Sequence, residues 1–402
     1  MTPRLRHLAR VNPSTPEFDR LEDDAEVTFI PLEAVWPGDR FDVTRRRPKA
    51  EVAVGYTRFR EGDILVPKIT PTFQADRTVI AHGLDGCVGA GTTELHIVRT
   101  GESADARYLR YLLSSKPFLD EGEASMIGVA GQKRVPDDCL RDLRVSVATL
   151  DWQRAIANYL DVETARIDAL IEKKRRMVEL LHDELTSTVE DIIWSRAIST
   201  MPLKYRTDQN RPIMYGIVLP GPNVSDGVPI VKGGDVAARR LSPGPVNRTT
   251  RDIEAPYARA RLAADDLVFA IRGSVGEVKI VPKELAGANI TQDVARVSTA
   301  RDVLPEWLYY VLRSMPVQRQ ASERTTGATI RGLNIWELKR IRVPTSDLVR
   351  QKSDLDALQP VRRRIEQMRA TLDRQVSLLI EHRQALITAA VTGELPIPGM
   401  AP

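Results

Sequence analysis

The sequence predicts an α+β chain written twice: two tandem mixed α/β domains separated by two long α-helices that pair as an antiparallel coiled coil, with pseudo-two-fold symmetry. Three observations carry this. One stretch recurs 198 residues further on, the hydrophobic period changes from strand-like to helical twice, and both helical stretches hold an apolar heptad.

The recurring stretch is "LRDLRVSVATLDWQ" from Leu140, answered by "LKRIRVPTSDLVRQ" from Leu338. It sets Leu143 against Ile341, Arg144 against Arg342, Val145 against Val343 and Gln153 against Gln351. Three further blocks follow in the same order. Arg107 to Pro117 faces Glu306 to Pro316, Thr93 to Val98 faces Gln292 to Val297, and Gly62 to Lys68 faces Asp265 to Arg272, so all offsets lie between 198 and 203. Common apolar patterns explain one chance match, not four collinear ones.

Residues 1–149 and 201–346 carry short β-branched runs such as "VTFIPL", "DILVPKI", "ELHIV" and "DLVFAI" between Gly, Pro and Asp, which read as strands of two compact domains. Residues 150–200 and 347–392 are helical in period, and 393–402 form a tail. In the first helical stretch Thr164, Ile171, Val178, Leu185 and Ile192 recur every seventh residue, beside a column of Leu160, Ile167, Lys174, Leu181 and Thr188. In the second the columns are Ile365, Leu372, Leu379 and Leu386, and Met368, Gln375, His382 and Ala389. These are coiled-coil seams with polar residues that fix register.

Asp161 is a good N-cap and Pro360, one position beyond its match, suits a first helical turn, so a short helix is expected before each long one. Gly393 and Pro396 mark the end of the second. Helices of about 35 residues are roughly 50 Å long, and a buried Leu or Ile contributes about 1.5 to 3 kcal/mol, ample for the two to pair. Antiparallel pairing would hold the domains apart like a ruler, matching the turn-by-turn spacing of duplex DNA.

Composition narrows the function classes. Two cysteines and five histidines exclude a disulfide framework and a cysteine-rich zinc site. No run of about 18 apolar residues occurs, and "MTPRLRHLARVNPSTPEF" lacks the apolar core of a signal peptide, so no membrane partner and a reducing cytoplasm are expected. Net charge is unevenly placed. Lys plus Arg minus Asp plus Glu is 21 − 23 = −2 over residues 1–150 and 22 − 14 = +8 over residues 201–345, and a basic half suits an anionic partner.

The order of domain, "QRAIANYLDVETARIDALIEKK", domain and terminal "LIEHRQALITAAVTGEL" resembles the specificity subunit of bacterial Type I restriction-modification systems, over essentially the whole chain. One departure is "RQKSDLDAL", where the family shows Gln-x-x-Ile-Ala. The resemblance implies two target recognition domains, each reading half of a split, asymmetric site in double-stranded DNA across a gap set by the helices. It implies that methyltransferase subunits dock on the helices and that a motor-nuclease subunit joins for restriction. This subunit would be non-catalytic, cytoplasmic and without a cofactor; S-adenosylmethionine, ATP and Mg²⁺ would belong to its partners.

Base readout needs Arg, Lys, Asn or Gln at base edges, while phosphate contacts position the protein. "FAIRGSVGEV" puts Arg272 and Ser274 on a turn whose Gly273 and Gly276 would let backbone approach phosphate. The matching turn of the first domain offers Lys68, Thr70, Gln74 and Arg77. The loops before the repeated join offer Gln132, Lys133 and Arg134 in one domain and Thr329 and Arg331 in the other. Arg45 and Arg46 belong to the basic run "VTRRRPK", and Lys232 and Arg248 complete the candidates. Each of these positions also has a plain reading as a turn or a solvated face.

Catalytic signals are slight. "CVGAGTTE" is neither a dinucleotide fingerprint nor a phosphate loop, and the Asp/Asn-Pro-Pro-aromatic tetrapeptide of the resembled modification subunits is absent. Asp265 or Asp266 with Glu277 and Lys279 has the spacing of a Mg²⁺ nuclease, yet also that of a solvent-facing strand. A self-sufficient nuclease or methyltransferase, and a coiled-coil adaptor without a DNA role, are the alternatives. Lengthening one long helix by a heptad is expected to change the gap of the recognised site and leave both half-sites intact; mapping of methylated adenines checks this.

Overall fold

The computed structural model describes residues 3–129, 132–145, 149–238, 241–244, 246–325 and 332–397. Two compact units emerge, Met1–Arg176 with Leu372–Pro402, and Met177–Thr371. Each has cores of its own.

In the first unit Leu95–Thr100 lies between Ala9–Val11 and Ile64–Pro67, with Val79–Ile80 beyond, all antiparallel. The run Ile64 to Val66 is uniformly apolar because both of its faces are covered. Ile64 and Val66 pack with Tyr108 and Leu109 of the helix Ala106–Leu112, while Leu65 packs with Ile30, Val35 and Phe59. A second sheet orders Arg46–Pro48, Glu26–Ile30, Val88–Gly91 and Thr57–Arg60, the middle pair parallel. Gly89 is required there, since a Cβ would lie 2.5 Å from the Phe59 ring.

The second unit repeats this frame. Val294–Val297 lies between Met214–Tyr215 and Leu267–Ala270, with Val278–Ile280 beyond. Asn247–Thr249, Val228–Val231 and Asn289–Ile290 form the second sheet, the last two parallel. Strand order and direction match the first unit, except that among the described residues no strand corresponds to Thr57–Arg60, so the duplication is one of fold as well as of sequence.

The long helices are Leu150–Val189 and Leu348–Thr392. The repeated glutamines explain why the join is written twice. Gln153, 1% exposed, accepts a hydrogen bond from the Asp105 N–H (2.9 Å) and donates to the Ser103 carbonyl (3.2 Å). Gln351, fully buried, accepts from the Leu304 N–H (2.7 Å) and donates to the Asp302 carbonyl (2.9 Å). Each carboxamide therefore satisfies backbone groups at the start of a domain helix, Ala106–Leu112 or Pro305–Arg313, and pins the long helix to its domain. A neighbouring ion pair recurs with its charges exchanged: Arg107 pairs with Asp161 (2.8 Å), whereas Glu306 pairs with Arg362.

Two expectations are corrected. Asp161 and Pro360 are interior positions of continuous helices, so the short helix expected immediately before each is the first turns of the long helix itself. Pro360 removes one helical hydrogen bond at a cost of about 3 kcal/mol. The turns before it stay helical because Gln351, Asp354 and Leu358 are buried against the domain, with Trp307 Nε1 donating to Asp354 (3.0 Å). The second correction concerns heptad phase: Met368, Gln375 and His382 are exposed, and the inward column sits one residue further, at Val376, Arg383 and Ala390. Arg383 disguises this column in the sequence; it is 9% exposed because its guanidinium meets Asp168 (3.3 Å).

Within the first unit, Leu160, Ile167, Ile171 and Leu372 are buried and Leu379 and Leu386 partly so. Lys174 Nζ donates to Gln375 (2.7 Å) while Asp168 meets Arg383, so one number rises as the other falls and the packed helices are antiparallel. Within the second unit Leu181 and Ile365 are buried, Val178 and Leu185 partly so, and Glu184 pairs with Arg364. Gly393, at φ +81°, closes the second helix in the left-handed conformation favoured at a C-terminal cap.

Replacing Gln153 or Gln351 by Leu is expected to destabilise the corresponding unit by about 1 to 3 kcal/mol, because the backbone groups it serves are left buried and unpaired. Urea denaturation against wild type measures this, and Gln→Glu, which keeps the acceptor but loses the donor, should recover only part of the loss.

Candidate nucleic-acid interface

Two candidate loops of each domain meet through backbone hydrogen bonds that the duplication repeats. In the first unit the strand Ile64–Pro67 exits into Lys68, whose N–H donates to the Glu94 carbonyl (2.9 Å) and whose carbonyl accepts from the Val135 N–H (2.9 Å). The Thr70 N–H donates to the Lys133 carbonyl (3.0 Å). Lys68 and Thr70 are thus set beside Gln132, Lys133 and Arg134, some 60 residues later in sequence. In the second unit the Ile271 N–H donates to the Asp293 carbonyl (2.8 Å), the Leu333 N–H to the Ile271 carbonyl (2.8 Å), and Arg272 forms a β-bridge with Gly332. Thr329 and Arg331 lie outside the described residues. Gly233 follows Lys232 and sits against the Arg272 backbone, where a Cβ would be 3.4 Å from its carbonyl oxygen, which brings Lys232 to the same place.

Side chains divide into committed and available. Arg134 grips Glu94 through Nε and NH2 (2.9 and 2.7 Å), Arg45 pairs with Glu33 (3.0 Å) and Arg46 with Asp85. Gln74 is exposed and donates to Glu123. Arg77 turns inward to the Val35 carbonyl (3.2 Å) and Arg248 to the Gly227 carbonyl (2.9 Å), so both brace their own domain. Gln132, Lys133, Arg272 and Ser274 are exposed, and Lys68, Thr70 and Lys232 partly so. These seven are the side chains best placed to meet a ligand.

Supports that sequence reading missed come from distant segments. His96 is 1% exposed, and its Nε2 donates to the Val135 carbonyl (2.8 Å) directly behind the first loop. Burial holds its imidazole below the usual histidine range, outweighing the same hydrogen bond and the Asp137 carboxylate, which act in the opposite direction. Gln318 braces the Gly-rich turn by donating to the Gly276 carbonyl (2.9 Å). Gly276, at φ +99°, makes room for that brace: a Cβ would fall 2.1 Å from Gln318 Oε1. Its glycine thus serves the brace.

Of the carboxylates of the nuclease alternative, Asp265 is exposed and Asp266 is engaged elsewhere. Asp266, 3% exposed, takes both guanidinium nitrogens of Arg211 (2.8 and 2.7 Å) and the Ala263 N–H (2.7 Å). Glu277 stands 3.9 Å from Lys279. Among the described residues no group of three or more His, Cys, Asp or Glu could hold a metal ion, and Cys87 and Cys139 are free thiols.

The Glu94 carboxyl is held below its ordinary value of 4.5, foremost by its hydrogen bond with Arg134. A lowered folded-state value means that the pair stabilises the loop above the ordinary glutamate range, and that this support fades as pH falls through that range towards the lowered value. Amide exchange at Thr70 and Val135 is therefore expected to accelerate on acidification beyond the intrinsic trend, with Glu94→Gln fast at every pH; equal pH dependence in both proteins overturns this.

Residues 222–376 match the family model of the Type I restriction modification DNA specificity domain. The chain is 40% identical over 136 residues to the Type I restriction enzyme EcoEI specificity subunit of Escherichia coli, a match covering 33% of this chain and 22% of that relative. It is 23% identical over 302 residues to the EcoBI specificity subunit of Escherichia coli, covering 65% of this chain and 60% of that one. The aligned parts thus span less than two thirds of either relative. A solved chain from work on complex assembly and conformational transition of the type I R-M system has a similar fold, with a TM-score of 0.64 at 14% identity over 98% of this chain and 97% of that one. The specificity-domain match thus lies in the second half of the chain, and the likeness to the solved chain is one of fold along nearly its whole length.

Proposed function

We propose that this chain is the DNA sequence-specificity subunit of a Type I restriction-modification complex. It is non-catalytic, reads a bipartite, asymmetric duplex site with one half-site per domain, and scaffolds methyltransferase subunits on its long helices, with a motor-nuclease subunit joining for restriction. One observation carries the reading. The loop pair is built by the same backbone hydrogen bonds in both domains, yet it presents Lys68, Thr70, Gln132 and Lys133 in one and Lys232, Arg272 and Ser274 in the other. A constant frame with variable side chains is what reading two different half-sites requires. The matched specificity domain and the relatives' names support it.

S-adenosylmethionine, ATP and Mg²⁺ belong, in this reading, to the partner subunits. A bacterial cytoplasm is the setting it implies; among the described residues no helix is long and apolar enough to cross a membrane.

The test is genetic. Methylated adenines mapped with and without this gene should reveal one split motif that depends on it. Arg272→Ala should relax base preference in one half-site only, at about 1 to 3 kcal/mol if its contact is to a base edge; loss of preference in both halves, or in neither, counts against the assignment. The purified chain with Mg²⁺ should leave duplex DNA uncut.

A further inference from the structure

We propose that the two domains hold DNA unequally: the second is the anchoring half, gripping the duplex through Arg272, Arg340 and the exposed Trp336, while the first reads its half-site from a nearly neutral face. This rests on the reading that the chain binds duplex DNA. The helix that follows the paired loops carries the contrast. In the first domain it is Asp137–Asp142, where the Asp138 side chain is 83% exposed and that of Asp142 47%. In the second it is Ile335–Arg340, and the positions matching Asp138 and Asp142 hold Trp336 and Arg340. Trp336 is 60% exposed, with the Arg340 guanidinium 3.8 Å from its ring centroid. One domain presents Asp138, beside an Asp142 held by Arg4 and Arg6 (2.7 and 3.2 Å), and the other presents a cation stacked on an aromatic face.

Net charge runs the same way, −2 over residues 1–150 against +8 over residues 201–345, although each domain holds both paired and unpaired arginines. Among the described residues Arg10, Arg20, Arg40, Arg47 and Arg144 of the first are exposed without a carboxylate partner, and Arg206, Arg211, Arg261 and Arg324 of the second pair with Asp302, Asp266, Glu254 and Glu337. In the first domain Arg45, Arg46, Arg58, Arg60 and Arg134 pair with Glu33, Asp85, Asp19, Glu17 and Glu94. In the second, Arg251, Arg259, Arg272, Arg301, Arg319 and Arg340 are exposed, and among the described residues no carboxylate pairs with them within 4.0 Å. A guanidinium already held by a carboxylate must give it up to take a phosphate, and the displaced carboxylate then repels the backbone. An unpaired one releases counterions outright and so sets the salt dependence of binding.

The experiment measures binding of the full-length chain to a random-sequence duplex of about 30 base pairs across a range of KCl. Arg340→Ala should flatten the slope of log K against log salt by about 1 and weaken binding about threefold at moderate salt, while Arg272→Ala should weaken binding and relax base preference in its own half-site. Trp336→Ala should weaken binding with the slope nearly kept. Arg340→Lys should retain the slope, which separates charge from any structural role. Arg60→Ala and Arg134→Ala, at guanidinium groups already held by Glu17 and Glu94, should leave the slope in place, and Asp138→Lys, on an exposed position, should steepen it. First-domain changes that flatten the slope as much as second-domain ones overturn the asymmetry while the DNA-reading function stands. Wild-type chain without salt-dependent duplex binding overturns both.

Discussion

Two buried carboxamides fix how each domain is seated on its long helix. Gln153 and Gln351 lie in the first turns of the long helices, and each fills the donor and the acceptor left open where a domain helix begins. Alanine would leave the open groups buried, and a charged residue would not match both. Because the bonds go to backbone, their geometry is indifferent to the side chains around them. The domains are free to diverge at their loops while the attachment stays constant.

The same separation of frame from content holds inside each domain. Lys68 and Ile271 sit at equivalent strand exits and accept from Val135 and Leu333, which open equivalent segments. Neither bond involves a side chain. Sequence at the loop changes from Lys-Ile-Thr to Ile-Arg-Gly without disturbing the scaffold.

How legible this was depends on range. The duplication, the helical stretches and most of the apolar seam could be read from the chain because they are periodic or repeated, and periodicity is a local signal. Heptad phase in the second helix could not, since Arg383 is buried by an ion pair with Asp168, far away in sequence. Pro360 misled for the related reason that burial of Gln351, Asp354 and Leu358 overrides a local helix break. At the candidate site, sequence named loops that meet in the structure but not which of their side chains are free. Arg134, Arg77 and Arg248 look like Lys133 and Arg272 in a string of letters; only their partners, Glu94 and the carbonyls of Val35 and Gly227, distinguish them.

The exchanged ion pair beside the glutamines bears on how a duplicated chain avoids confusing its own halves. Arg107 faces Asp161 in one copy, and Glu306 faces Arg362 in the other. Were a first domain to settle on a second helix, Arg107 would approach Arg362; the opposite error would bring Glu306 towards Asp161. Both mismatches set like charges together, whereas both correct pairings set opposites together. Descent from one ancestral half leaves each helix with two chemically similar seats, and this inversion of polarity tells them apart.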